Sequence, residues 1–321
     1  MALRILVTGR GSIAKRHVQH LRTLAPDAVV AIMAPAGEVD ADLLPCEIVL
    51  DLAQGLDFQP DGVVIASVSS RHADELNACL QHGLPCLVEK PIAISAEELA
   101  VLRQAASASR VPVQVGCNLR HLPALVRLKE LLTGGTLGLL ARAQFEVGQD
   151  LRQWRQGRDV AASYSASAAL GGGVVLDLVH EIDMARWLLG PLQVKAAVGG
   201  HLSALPGDSD DVHTALLQDA RGRPVTVALD YVSPQAVRRY AFVAEQGTVV
   251  CDLMAGRFTV ARHDGVHTET DAGADFDIGQ TYAAQLADWL AALDDPQRVL
   301  VSPLRDAFET TELMLAMKAA A

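Results

Sequence analysis

The sequence predicts an α/β chain of two domains: a doubly wound parallel sheet, then an α+β domain built on a large, mainly antiparallel sheet. Three observations carry this. Short apolar runs alternate with helical patterns through the first 118 residues. From residue 137 onward, long β-type runs follow one another with few helices between them. The length of 321 residues exceeds one ordinary domain and suits two.

In order, the first strand candidates are 3–8, 28–33, 46–50, 62–67, 85–89 and 111–116. Helical spacing of apolar residues marks 13–24, 73–82 and 96–108 between them. Continuous apolar strands joined by helices mean a parallel sheet covered on both faces. A helix at 123–133 follows, then β-type runs at 137–147, 192–203, 211–218, 223–231, 237–245, 248–253 and 257–262. Turns such as "DARGRP" (219–224) and "EQGT" (245–248) join neighbours as hairpins. The small-residue stretch 160–173 reads as a lid or substrate loop. A helix is expected over 174–189, and two more, 279–293 and 303–320, close the chain. The division falls between residues 1–120 and 121–321.

Bulk properties narrow the function. Half the residues are hydrophobic, enough for sizeable cores. A net charge of −11 gives no support to nucleic-acid binding, which wants a basic face. The five cysteines (46, 79, 86, 117 and 251) are scattered, odd in number and without a C-x-x-C pair, which fits a reducing compartment. The N-terminus runs straight into a glycine turn without the apolar core of a signal peptide. No stretch has eighteen continuous apolar residues, so no membrane span is expected. These readings predict a cytoplasmic protein.

Gly9-Arg10-Gly11-Ser12-Ile13-Ala14 follows the first strand and opens the first helix. This G-x-G-x-x-A pattern at the first βα junction of a doubly wound domain is a dinucleotide fingerprint. Gly9 makes the turn, Gly11 lets the backbone approach a pyrophosphate, and Ala14 keeps the helix close to the sheet. Ser12 and Ile13 stand at the helix start, where amide donors meet an anion. The end of the second strand, "AIMAPAG" (31–37), carries neither an acid for a ribose diol nor an arginine for a 2′-phosphate, so NAD and NADP both stay open.

Glu89-Lys90-Pro91 ends another strand of the same sheet, on the side where ligands of open α/β sheets bind. Pro91 restricts the backbone of Lys90. A lysine held there can hydrogen-bond a substrate hydroxyl. The stretch "GGGVVLDLVHEIDMARWLLG" (171–190) holds Asp177, His180, Glu181 and Asp183. Its His-Glu begins an H-E-x-x-H zinc helix, but position 184 is Met184, so no metal site is expected. Drawn as one helix, Leu178, Ile182, Ala185 and Leu189 form the core stripe, and Asp177, His180, Glu181 and Met184 the opposite one. Glu181 is expected on a solvated face. His180, flanked by Met184 and Trp187, is expected on a cleft wall, where it can take a proton near neutral pH.

Together "GRGSIA", "EKP", "VGCNLRH" (115–121) and the 171–190 stretch resemble the Gfo/Idh/MocA family of NAD(P)-dependent oxidoreductases, in the family's order and over residues 1–190. The resemblance implies a Rossmann domain, a substrate-binding and oligomerisation domain, and a homodimer or homotetramer. It implies hydride transfer between NAD or NADP and a CH–OH of a sugar, polyol or nucleotide sugar. Lys90 and His180 match the family's catalytic lysine and histidine. Asp177 falls near its catalytic acid, three residues before the histidine where the family's usual spacing is four. Ser67 and His72 fall on the cofactor side, beside Glu89 and Lys90. Asn118, Arg120 and Tyr164 would face the substrate. The wording of 163–183 looks most like members tied to bacterial surface-polysaccharide and nonulosonic-acid sugars. Two other readings accompany this one: a dinucleotide-binding sensor without catalysis, and redox-assisted elimination or hydrolysis of a glycoside.

Overall fold

The computed structural model describes residues 2–34, 40–154, 159–270 and 274–321. The chain opens with β1 (Arg4–Thr8), α1 (Ser12–Leu24), β2 (Val29–Met33), β3 (Glu47–Val49), α2 (Leu52–Asp57) and β4 (Gly62–Ile65). It continues through α3 (Ser69–Gln81), β5 (Cys86–Val88), α4 (Ala96–Ala108) and β6 (Val113–Val115). The six strands form one parallel sheet in the order β3-β2-β1-β4-β5-β6. Both faces of β1 are covered, with Ile5, Leu6 and Val7 fully buried, as a continuous apolar strand requires. Helix α2 carried no sequence signal. It is six residues long, too short for a period, and starts where Asp51 accepts a hydrogen bond from the amide of Gln54 (2.9 Å).

The second half holds α5 (Pro123–Thr133), β7 (Leu140–Gly148), α6 (Leu151–Trp154), α7 (Val174–Asp177) and α8 (Val179–Leu189). Then come β8 (Leu192–Gly200), β9 (Val212–Asp219), β10 (Pro224–Asp230), β11 (Val237–Ala244), β12 (Gly247–Asp252), β13 (Arg257–Arg262) and β14 (Gly265–Thr270). These strands make an eight-stranded sheet, β14-β13-β12-β11-β7-β10-β9-β8. Its pairings are antiparallel except β7 with β10. The hairpins expected at 219–224 and 245–248 join β9 to β10 and β11 to β12. β14 was not foreseen, because "GVHTET" has one apolar residue and no alternation.

The helix expected over 174–189 is two helices. The backbone breaks at Leu178 (φ −95°, ψ 29°), between α7 and α8. Before it, the loop is a chain of three 3-10 turns at 160–162, 164–166 and 168–170. The turn into α7 uses left-handed glycine conformations at Gly171 and Gly173, which other residues adopt only with strain.

The last helices are α9 (Ile278–Asp294) and α10 (Leu304–Ala319). Residues Met1–Asn118 with Gly279–Thr311 form one compact unit, and Leu119–Ile278 with Glu312–Ala321 the other. Residues 279–311, grouped with the second domain on sequence, therefore cluster with the first. Their apolar face explains it. Leu286 and Trp289 are fully buried in the core that holds Ile5, Val7, Val18, Ile32 and Val64. Gly62 makes room for Trp289, since a Cβ there would stand 2.8 Å from its indole.

Candidate active site

The glycine turn sits at the carboxyl end of β1, between β2 and β4, the switch point where open α/β sheets bind ligands. Gly9 is left-handed (φ +87°), and a Cβ on it would lie 2.5 Å from the carbonyl oxygen of Ala66. Gly11 is the reverse case: a Cβ there would meet nothing within 4 Å. Gly11 caps α1 without a side chain, and α1 has no acidic residue in its first turn. The first intrahelical bond runs from Lys15 N to Gly11 O. The amides of Ser12, Ile13 and Ala14 are thus the unfilled donors of a helix N-terminus beside open space. Such a cradle fits the pyrophosphate of a dinucleotide. Residues 35–39, which follow β2, lie outside the described residues.

The Glu89-Lys90-Pro91 turn follows β5, two strands from β1 at the same sheet edge. Glu89 is buried, and its Oε1 meets His17 Nε2 of α1 at 2.8 Å. Burial works to raise the Glu89 pKa. The hydrogen bond and charge of His17, aided by Lys90 and His72, outweigh that and hold the carboxyl below its usual range. Glu89 is therefore spent inside the protein, tying α1 to the turn that carries Lys90. His72 grips the same turn from α3: Nδ1 lies 2.8 Å from Pro91 O and Nε2 3.1 Å from Ser67 O. Ser67 in turn donates to Glu75 Oε2 (2.9 Å), as does Thr8 at the end of β1 (2.6 Å). Of the cofactor-side residues, Glu89 and His72 are thus braces. Lys90 is half-buried.

In the second unit, Asp177 is buried and accepts three hydroxyls: Tyr164 (2.5 Å), Ser165 (2.8 Å) and Tyr231 (2.9 Å). Burial, reinforced by the Asp177 charge, pushes the Tyr231 phenol well above its ordinary range, so it stays a donor. Tyr164 and Asp177 are brought together, but as a latch between the 160–173 loop and the end of α7. Glu181 is not on a solvated face. It is fully buried, with Arg238 Nε at 2.6 Å and the Tyr240 hydroxyl at 2.8 Å. Met184 is fully buried as well, so it forms no cleft wall. Ile182 and Ala185, of the expected core stripe, are fully buried too, so α8 is enclosed on both sides. His180 keeps partial exposure on α8.

Arg120 and Asn118, expected to face the substrate, are both buried. Arg120 holds Asp183 with two hydrogen bonds (2.9 and 2.7 Å), a bidentate pair that leaves its fork engaged. Asn118 donates to the hydroxyl of Thr281 (2.6 Å). Among the described residues no cluster of His, Cys, Asp and Glu could hold a metal ion.

Residues 3–117 match the model of the oxidoreductase family with an NAD-binding Rossmann fold, and residues 125–250 that of the same family's C-terminal domain. The chain belongs to the Gfo/Idh/MocA family. Its first unit carries the family's NAD-binding domain. The rhizopine catabolism protein MocA of Rhizobium meliloti is 31% identical over 222 residues, 65% of either chain. An inositol 2-dehydrogenase of Mycolicibacterium smegmatis is 29% identical over 311 residues, covering 91% of this chain and 84% of that one. A levoglucosan dehydrogenase solved with NADH superposes with a TM-score of 0.86 at 20% identity, over 100% of this chain and 97% of the other. That likeness shows a shared fold.

Several residues of this Gfo/Idh/MocA member escaped sequence reading. His17 and Glu75 are buried helix residues that belong to no motif of the sequence. Arg238 and Tyr240 did leave a trace, since positions i and i+2 of β11 share one sheet face, here the face beneath Glu181.

Proposed function

We propose that this chain transfers a hydride between a nicotinamide dinucleotide and the CH–OH or C=O carbon of a sugar, polyol or nucleotide sugar. One observation carries the reading: an open glycine cradle at Gly11 shares a sheet edge with Lys90, on a turn braced from two helices. The relatives' names, inositol 2-dehydrogenase and levoglucosan dehydrogenase, support the substrate class.

When bound, the dinucleotide supplies the hydride acceptor or donor, held by the amides of Ser12, Ile13 and Ala14. Lys90, as an ammonium, donates a hydrogen bond to the reacting oxygen and stabilises its growing negative charge during oxidation. His180 takes the hydroxyl proton on its imidazole, and returns it when the reaction runs toward the alcohol. Asp177 serves these residues indirectly by holding the 160–173 loop through Tyr164 and Ser165. The protein works in the cytoplasm as a homo-oligomer; its buried cysteines fit a reducing compartment.

The test is turnover with NAD and NADP against a panel of polyols, sugars and nucleotide sugars. Lys90→Ala and His180→Ala should each lower kcat by about 10²–10⁴-fold with cofactor binding retained. Full turnover in both variants would overturn the assignment, and tight cofactor binding with no turnover on any member of the panel would favour a sensor. Asp177→Asn should show its main effect in melting, a loss of about 1–3 kcal/mol.

A further inference from the structure

The first unit carries a second concavity, at the edge of the sheet where β6 begins. A cavity of about 560 Å³ is walled by the last turns of α3 and α4, the loop into β6, residues 296–300 and the first turn of α10. The glycine turn and Lys90 stand at the carboxyl ends of the strands, the opposite edge of the same sheet, so this groove is separate from them. Its volume falls within the range of small-molecule sites.

Its charge is unlike that of the chain. Arg103, Arg110, Arg298 and Arg305 line it and no Asp or Glu does, although the protein has 38 acids against 27 lysines and arginines. Carboxylates outside the lining stand beside two of the four. Arg298 Nε donates to Asp288 (2.8 Å), but that buried carboxylate also accepts from the amide of Val301 (3.0 Å) and from Gln114 (3.3 Å). Arg305 approaches Asp306 only to 3.5 Å. Arg103 lies over the ring of Phe308, 4.9 Å from its centroid. Arg110 is exposed and has no ion-pair partner among the described residues. Arg110 and the largely exposed Arg305 are thus the cations of this lining best placed to take an outside anion. Between them the wall is apolar: Leu80, Val113, Leu300 and Phe308 contribute to it, and Val299 stands 80% exposed at its rim.

We propose that this groove binds a small amphiphilic anion, its phosphate or carboxylate head against the arginines and its hydrocarbon body on the apolar wall. Guanidinium forks recognise such heads in bidentate fashion. The test is a calorimetric titration of the full chain with hexyl phosphate, beside inorganic phosphate and hexanol as its two halves. Saturable one-to-one binding of hexyl phosphate is expected, weaker with either half and weakened by salt. Arg110→Ala/Arg305→Ala should bind it at least about tenfold more weakly while melting and NADH binding stay unchanged. No saturation, equal binding by phosphate or by hexanol, or an affinity that the double variant leaves unmoved would overturn the proposal.

Discussion

The two glycines of the fingerprint look alike in the sequence and differ in physics. Gly9 is a backbone necessity: its φ is positive and a Cβ would run into the Ala66 carbonyl. Gly11 has no such neighbour, so its missing side chain matters only to what binds there. Gly9→Ala should therefore melt earlier, by about 1–3 kcal/mol. Gly11→Ala should keep its melting curve and lose dinucleotide affinity, read by NADH fluorescence titration. Equal behaviour of the two variants would remove the distinction. Residue types alone pointed to the glycine turn, Lys90 and His180, because those positions need a particular chemistry in a particular place. They misplaced Glu181, because a charged residue looks solvent-facing until its partner is known, and Arg238 lies 57 positions away.

Elements were legible where apolar periodicity is long. α5 and the β9–β10 hairpin fall within a residue or so of their expected bounds, whereas α2 and β14 are short or polar and left no pattern. The break at Leu178 was illegible for a different reason: every residue from Val174 to Leu189 is compatible with a helix, and the interruption stands next to Asp177, whose three hydroxyl partners come from distant segments. The tie between α1 and β5 gives a pH prediction. The Glu89 carboxyl titrates below its usual 4.5 in the folded protein. Its pairing thus stabilises the fold above that ordinary value, and the contribution is lost as pH falls through the depressed folded one. In urea melts at descending pH, Glu89→Gln should cost about 1–3 kcal/mol near neutrality and show a flatter acid limb than the parent. An unchanged acid limb would mean that the pair carries no such linkage.

At the scale of the molecule, the sequence split the chain once near residue 120, following the change of texture from helices to strands. The first compact unit instead reclaims Gly279–Thr311, a return no local pattern announces. Trp289 and Leu286 belong to its core, so residues 1–118 alone lack two fully buried side chains. Losing a buried tryptophan typically costs about 3–5 kcal/mol, a large share of a domain's stability. A 1–118 fragment should lack a cooperative melt and bind the dye ANS, whereas the full chain should not bind it. A sharp transition for the fragment would show its core closes without α9.

The late arrival of Trp289 also sets a timetable for synthesis. The strands of the parallel sheet leave the ribosome first, yet the slot beside Gly62 stays open until α9 emerges. At roughly 5–20 residues per second, that interval lasts about ten to thirty seconds. Throughout it the nascent chain presents an apolar cleft to the cell, the kind of surface that chaperones hold.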